Sequence, residues 1–377
     1  MVGVAGFEPA TTRTPSVCAT SLRHTPTQAA TIYFRSWQDH TRVRMSVRVT
    51  RADRIVIAIF AIAAISVMPI AAATEHAAET AKLEVGGGEI EIVFTPSDYK
   101  LSRDAILGWI KRSASAVSTY YGRFPVRNYR ITIFAAPGRH GVMSGTTWGF
   151  GGAHSRIILG VDTRQGELDN DWVMTHEMVH LAFPSVTRDH HWIEEGIATY
   201  VEPIARAEIG NYPVAQVWQD LVVGLPKGMP ASGDAGLDHT PTWGRTYWGG
   251  AMFCLLAEVG IRRRTHNRYG LADALRGILA AGGNIEVEWT IDRALKAADD
   301  AVGVPVITEL YAQMKSAPVE PDLKGLWKTL GVEERAGGVV FDDNAPEASI
   351  RRAITESSRG DSQDHTPPTT SARNLTP

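Results

Sequence analysis

Cysteine is almost missing from this chain: Cys18 and Cys254 are the only two in 377 residues. They stand far apart in unlike surroundings, so a disulfide framework and a cysteine-rich metal site are both excluded. A concentrated excess of positive charge is missing too. Residues 1–54 hold eight arginines against three acids (Glu8, Asp39, Asp53), but the remainder holds 30 basic against 38 acidic side chains. A folded region of net negative sign argues against nucleic acid as the main partner, because a polyanion is bound by clustered Lys and Arg. Long apolar runs are lacking after residue 73, and no internal repeat is evident. What is present is ordinary globular composition, 44% hydrophobic and 21% charged, with ample material for a core.

The one long apolar run, residues 55–73 (IVIAIFAIAAISVMPIAAA), carries no charge and follows Arg48, Arg51 and Arg54. Basic flank, apolar stretch and the small-residue exit Ala71-Ala72-Ala73 are the three parts of a secretory signal peptide. Residues 45–73 are therefore expected to direct export to the periplasm or the medium. The alternative is a retained membrane anchor, since 19 residues just span a bilayer. Met45 lies immediately ahead of the basic flank, and residues 1–44 show no helical or strand period. The stretch GFEPATTRTPSVCATSLRHTP resembles translation across a transfer-RNA gene, so 1–44 is expected to be a spurious or disordered extension.

Residues 74–88 are small and polar and are expected to form a linker, with a catalytic domain from 89 to 355. Strands are predicted over 89–94 (EIEIVF), 129–135 (YRITIFA) and 154–161 (HSRIILGV) from their apolar alternation. A helix is predicted over 102–121, where Ile106, Ile110, Val117 and Tyr121 recur at helical spacing. The glycine-rich GVMSGTTWGFGG reads as a loop or a bulged edge. Helical patterns follow near 171–183, 191–206, 246–259, 271–281, 289–299 and 304–316. Strands first and helices after predict an α+β domain, a β-containing lobe over 89–170 and a helical lobe over 171–355. The Ser/Thr/Pro-rich residues 356–377 are expected to be disordered.

Residues 176–180 read His-Glu-Met-Val-His. On a helix His176 and His180 project from one face and can reach one ion, while Glu177, about 100° round the helix, can act on a water there. Asn170 or Asp171 can cap such a helix, and Pro184 lies just beyond its end. A catalytic zinc site needs a third protein ligand and one open position. Residues 192–202 read W-I-E-E-G-I-A-T-Y-V-E, with Glu195 fifteen positions after His180.

Together these motifs resemble the gluzincin peptidases, whose third zinc ligand is a glutamate, and within them the membrane alanyl and glycyl aminopeptidase families. The resemblance spans roughly residues 100–350. It implies a thermolysin-like two-lobed catalytic domain and one zinc per chain, held by His176, His180 and Glu195, with Glu177 as general base. Thr199, one turn after Glu195, matches a position that supports a ligand. Glu194 is the less favoured ligand. The stretch TYWGGAMFCLLAEVGIRRRT is similar to the Tyr-x-x-Gly-Ala helix of those enzymes, and it implies that Tyr247 donates to the oxyanion of the tetrahedral intermediate. Gly151 and Gly152 match the glycines of the substrate-binding edge strand. No glutamate follows them, however, and in that group it is this glutamate that grips a free amino terminus. A peptidase is implied, with its exo- or endopeptidase mode left open. Peptide or protein is the expected substrate, and the membrane enters only through a retained signal segment.

Other residues read more plainly. His190 and His191 fall in a loop, His154 on a surface strand, Cys254 in a buried helix and Arg262–Arg264 at a solvated helix end. Trp148 and Phe150 fit either the groove or the core. The rival reading from another class is a catalytically inactive zinc-fold module that binds peptide or envelope material. The presence of both Glu177 and Tyr247 beside the ligands speaks against it.

Overall fold

The computed structural model describes residues 79–355. The expectations for 1–44, 45–73 and 356–377 lie outside the described residues. The chain opens with strand β1 (Glu79–Val85), β2 (Gly88–Phe94), helix α1 (Arg103–Tyr121), β3 (Asn128–Ala136), β4 (Val142–Trp148) and β5 (Ala153–Gly160). The strands form one sheet in the order β1-β2-β3-β5-β4. The inner pairs β2/β3 and β3/β5 are parallel, whereas the outer pairs β1/β2 and β4/β5 are antiparallel. Helices dominate the rest: α2 (Gln165–Asp169), α3 (Val173–Val179), α4 (His191–Glu208), α5 (Val214–Gly224), α6 (Gly250–Arg264), α7 (Leu271–Ala280), α8 (Ile291–Val302), α9 (Val306–Met314) and α10 (Leu323–Leu330). A hairpin of β6 (Val332–Arg335) and β7 (Gly338–Phe341) and helix α11 (Ala348–Thr355) close the described chain. No described helix is long and apolar enough to cross a membrane.

Alternation explains the sheet. Ile90, Ile92 and Phe94 of β2, Tyr129, Ile131 and Ile133 of β3, and Ile157 and Leu159 of β5 are buried, while the residues between them face outward. The buried set joins Ile106, Trp109, Ile110 and Val117 of α1 in a single apolar core. Each such side chain contributes about 1.5–3 kcal/mol relative to exposure. The outward face is polar, with Arg130 bonded to Glu91 on the neighbouring strand at 2.6 Å. Helix α1 starts where the Ser102 hydroxyl accepts from the Ala105 amide and stops at Gly122, whose φ of 76° only glycine adopts easily.

Two expectations are corrected here. The supposed linker 74–88 contains β1. Gly86 and Gly87, which look like spacer residues, are the two-residue turn of a β1/β2 hairpin, with φ of 56° and 85°. Of the two readings of the glycine-rich 141–152 stretch the bulged edge is the one found: Val142–Trp148 form the edge strand β4, with a register shift between Val142 and Ser144. The helix expected over 171–183 is shorter than its pattern: α3 ends at Val179 and tightens into a 3₁₀ turn over His180–Ala182.

Candidate functional site

Helix α3 is only seven residues long, and all seven are buried. So short a helix needs help at its end, and Asp171 supplies it. Its Oδ1 accepts from the Val173 amide (3.2 Å), and its Oδ2 accepts from the Met174 amide (3.0 Å) and Trp109 Nε1 (3.1 Å). Burial outweighs these bonds and pushes the Asp171 carboxyl up to about 6. The cap ties α3 to α1 and helps set the direction of His176 and of the turn that carries His180.

His176, His180 and Glu195 converge. Glu195 Oε2 lies 3.2 Å from His176 Nε2 and 3.7 Å from His180 Nε2. One ligand atom from each residue falls within 4.8 Å of the others, and among the described residues this is the one group of three or more such side chains able to hold a metal ion. Two imidazoles and a carboxylate, mostly withdrawn from solvent, are a donor set suited to zinc with a coordination position left over. The charges are already arranged for a cation. Burial opposes ionisation of Glu195, but His180, His176 and His191 outweigh it and hold the carboxyl well below its usual range. Burial lowers the His180 imidazole to about 4, while His176, also penalised by burial, is held above its usual value by Glu195.

Glu177 faces a different wall. Its Oε2 accepts a 2.6 Å hydrogen bond from Thr147 on β4, and its side chain lies so close to Gly145 that a Cβ there would collide with it. Burial pushes the Glu177 carboxyl up to about 7, with His176 and the Thr147 bond pulling the other way.

The third segment carries Tyr247. Gly244–Gly249 form a π-turn leading into α6, and the Tyr247 ring stacks on His176 with centroids 6.4 Å apart. Single π-turns of this kind concentrate at functional sites. Two features hold it there. The buried Arg245 pairs with Asp234 (2.8 Å) and donates to the Gly228 carbonyl (2.7 Å). Gly196 and Gly250 let α4 and α6 touch backbone to backbone, since a Cβ on either would strike the other helix. The glycine after Glu195 therefore has a packing reason: it lets Tyr247 and the ligands share one pocket.

The remaining expected site residues lie elsewhere or act differently. Gly151 and Gly152 sit in the turn between β4 and β5, with φ of 77° and 108°, and the strand residues that touch Glu177 are Gly145 and Thr147. Thr199 is half-buried on α4 and makes no hydrogen bond to a ligand. The neighbour that does reach Glu195 is His191, whose Nε2 lies 3.3 Å from Oε1 while Nδ1 lies 2.9 Å from Glu194 Oε2. These two contacts push His191 up to about 10. Its i, i+4 spacing to Glu195 was the available signal. His190 is no loose loop residue either: with Trp192 and Tyr311 it shares Asp238, at 3.1, 2.7 and 2.9 Å. Trp148, next along β4 from Thr147, turns to the other side and stacks on His154 at 4.7 Å. Cys254 is a core residue of α6. Arg262 is not solvated, being bonded to Glu258, Asn267 and the Ala353 carbonyl.

No family model and no curated protein matches the chain. Solved structures do. An aminopeptidase N family protein from Idiomarina loihiensis superposes with a TM-score of 0.52 at 12% identity, over 69% of this chain and 51% of that one. An M1 zinc metallopeptidase from Deinococcus radiodurans gives 0.40 at 14% identity, covering 65% of this chain and 52% of that one. Yeast LTA4 hydrolase gives 0.43 at 12% identity, with coverages of 65% and 40%. Only the first is close enough to carry an argument, and that argument concerns fold alone. This chain spans about half the length of that structure, and over that span it has the fold of an aminopeptidase N family protein.

Proposed function

We propose that the protein is an exported, zinc-dependent peptidase with a thermolysin-like two-lobed catalytic domain. The observation that carries the reading is the convergence of His176, His180 and Glu195 beside a buried Glu177. The fold shared with an aminopeptidase N family protein supports it, and residues 55–73 support export. His176, His180 and Glu195 would hold the ion. Bound there, zinc supplies Lewis acidity, making water nucleophilic near neutral pH and polarising a carbonyl.

The chain's own groups do the rest. Glu177 takes a proton from the attacking water and returns it to the nitrogen of the leaving amine, so it ends each cycle ionised. Tyr247, whose ring stacks against His176, would donate its hydroxyl to the oxyanion. Among the described residues β4 pairs only with β5, so its other edge would offer backbone groups to an extended peptide. No residue of β4 (VMSGTTW) is acidic, so the strand has no carboxylate to hold a free amino terminus.

The test is zinc content and peptide-library cleavage on the full chain, wild type beside Glu177→Gln. One zinc per chain in both, with turnover falling by about 10²–10⁴-fold in the variant, is the expected result. Cleavage that survives Glu177→Gln removes the base assignment, and a zinc-free wild type removes the reading altogether.

A further inference from the structure

Glu177 is gripped by a strand remote in sequence, and the grip does not end at Thr147. Thr147 Oγ1 lies 2.5 Å from Ser155 Oγ on β5, and Ser155 Oγ accepts from the Tyr129 hydroxyl on β3 at 2.6 Å. Tyr129 and Ser155 are buried, at 2% and 0% exposure, so water does not compete for them. An ionised carboxylate only accepts, which fixes the direction of every proton in the row. Thr147 donates to Glu177 Oε2, so it must accept from Ser155, and Ser155 must accept from Tyr129. With Glu177 ionised, the three hydroxyl protons point one way, toward Glu177.

We propose that Thr147, backed by Ser155 and Tyr129, is a positioning residue for Glu177: the hydroxyl row commits Oε2 to the sheet and leaves Oε1 for the reacting water. The backbone agrees with this role. Gly145 and Thr147 are two apart on β4 and share a face, the first removing a Cβ that would collide with the Glu177 side chain, the second supplying the donor. The same Thr147 hydroxyl lies 3.1 Å from the Glu177 carbonyl, so the strand touches both backbone and side chain of the base. The kinetic part of this inference rests on the peptidase reading; the positional part does not.

The experiment uses the full chain with four substitutions: Thr147→Val, Thr147→Ser, Ser155→Ala and Tyr129→Phe. For each, kcat and KM on a cleaved library peptide are measured beside zinc content and thermal midpoint. Crystal structures of wild type and Thr147→Val give the position of the Glu177 carboxylate. Thr147→Val is expected to lower kcat by about 10–100-fold, as a small misplacement of a reacting group does. KM and zinc content should hold. Thr147→Ser should recover most of the loss, and Ser155→Ala and Tyr129→Phe should show progressively smaller losses. In the Thr147→Val crystal the carboxylate should have left its place beside Gly145. An unmoved carboxylate, a kcat within twofold of wild type, or a serine variant no better than valine would overturn the proposal. If Thr147→Val does not fold, the carboxylate position in Ser155→Ala decides instead. If the wild type cuts no peptide, the peptidase reading fails alone, and the crystallographic comparison still judges the hydroxyl row.

Discussion

On its helical wall the site draws His176, Glu177 and His180 from α3 and the turn after it, Glu195 and His191 from α4, and Tyr247 from the π-turn ahead of α6. Within each segment, neighbours in space are three or four apart in sequence. The strand wall is built the other way. Thr147 lies 30 positions before Glu177 and 8 before Ser155, and β4 reaches the site only because the sheet delivers it as an edge. His176, His180 and Glu195 therefore depend on local helix geometry and on the packing of α3 against α4. Glu177 depends on both walls at once. That difference makes Glu177 the residue most exposed to damage from a distance.

Three substitutions on the helical wall sharpen the comparison. The largest effect belongs to Tyr247→Phe, which removes an oxyanion donor and leaves the stacking on His176. It should cost about 10²–10³ in kcat with little change in KM or zinc content. An unchanged kcat would show that this wall supplies ligands only. Next comes Gly250→Ala, whose methyl group would strike Gly196 and the Trp192 carbonyl on α4. Overpacking of this kind costs about 1–3 kcal/mol, read as a lower midpoint in thermal or denaturant unfolding. No loss of stability would mean that the helices separate easily, and that their close contact is not what brings Tyr247 to the ligands. The smallest effect is expected for His191→Ala, which deletes the partner of Glu195 Oε1. Zinc affinity, measured by competition with a chelator, should fall about tenfold, as losses of such outer partners do. Loss of kcat at saturating zinc would instead give His191 a part in the chemistry.

The sequence revealed the helical wall and hid the strand wall, for a physical reason. His176, His180 and Glu195 are legible because helix periodicity turns a spacing into a shared face. Thr147 carries no such mark. Its role exists only once β4 pairs with β5, and the glycines that make the strand fit also make it read as a loop. The same ambiguity hid β1, whose Gly86-Gly87 turn looks like a linker until the register of the hairpin is known. Gly151 and Gly152 attracted notice as a pair of glycines, yet they serve the turn while Gly145 serves the site. Helices α5, α10 and α11 and the β6/β7 hairpin were not predicted at all. Helices α10 and α11 and the hairpin are short and are tied together by tertiary links such as the Arg351 guanidinium, which gathers the carbonyls of Leu330, Gly331 and Asp342.

The π-turn at Gly244–Gly249 has a consequence for length rather than composition. A turn closed by i to i+5 bonds holds one more residue than an α-turn, so everything before it is rotated by about 100° relative to an unbroken helix. Removing a residue between Tyr247 and Gly250 would turn Tyr247 by about 100° relative to α6 and swing its ring away from His176. This short segment is thus a point where a one-residue deletion, more cleanly than a substitution, separates an intact fold from a working site.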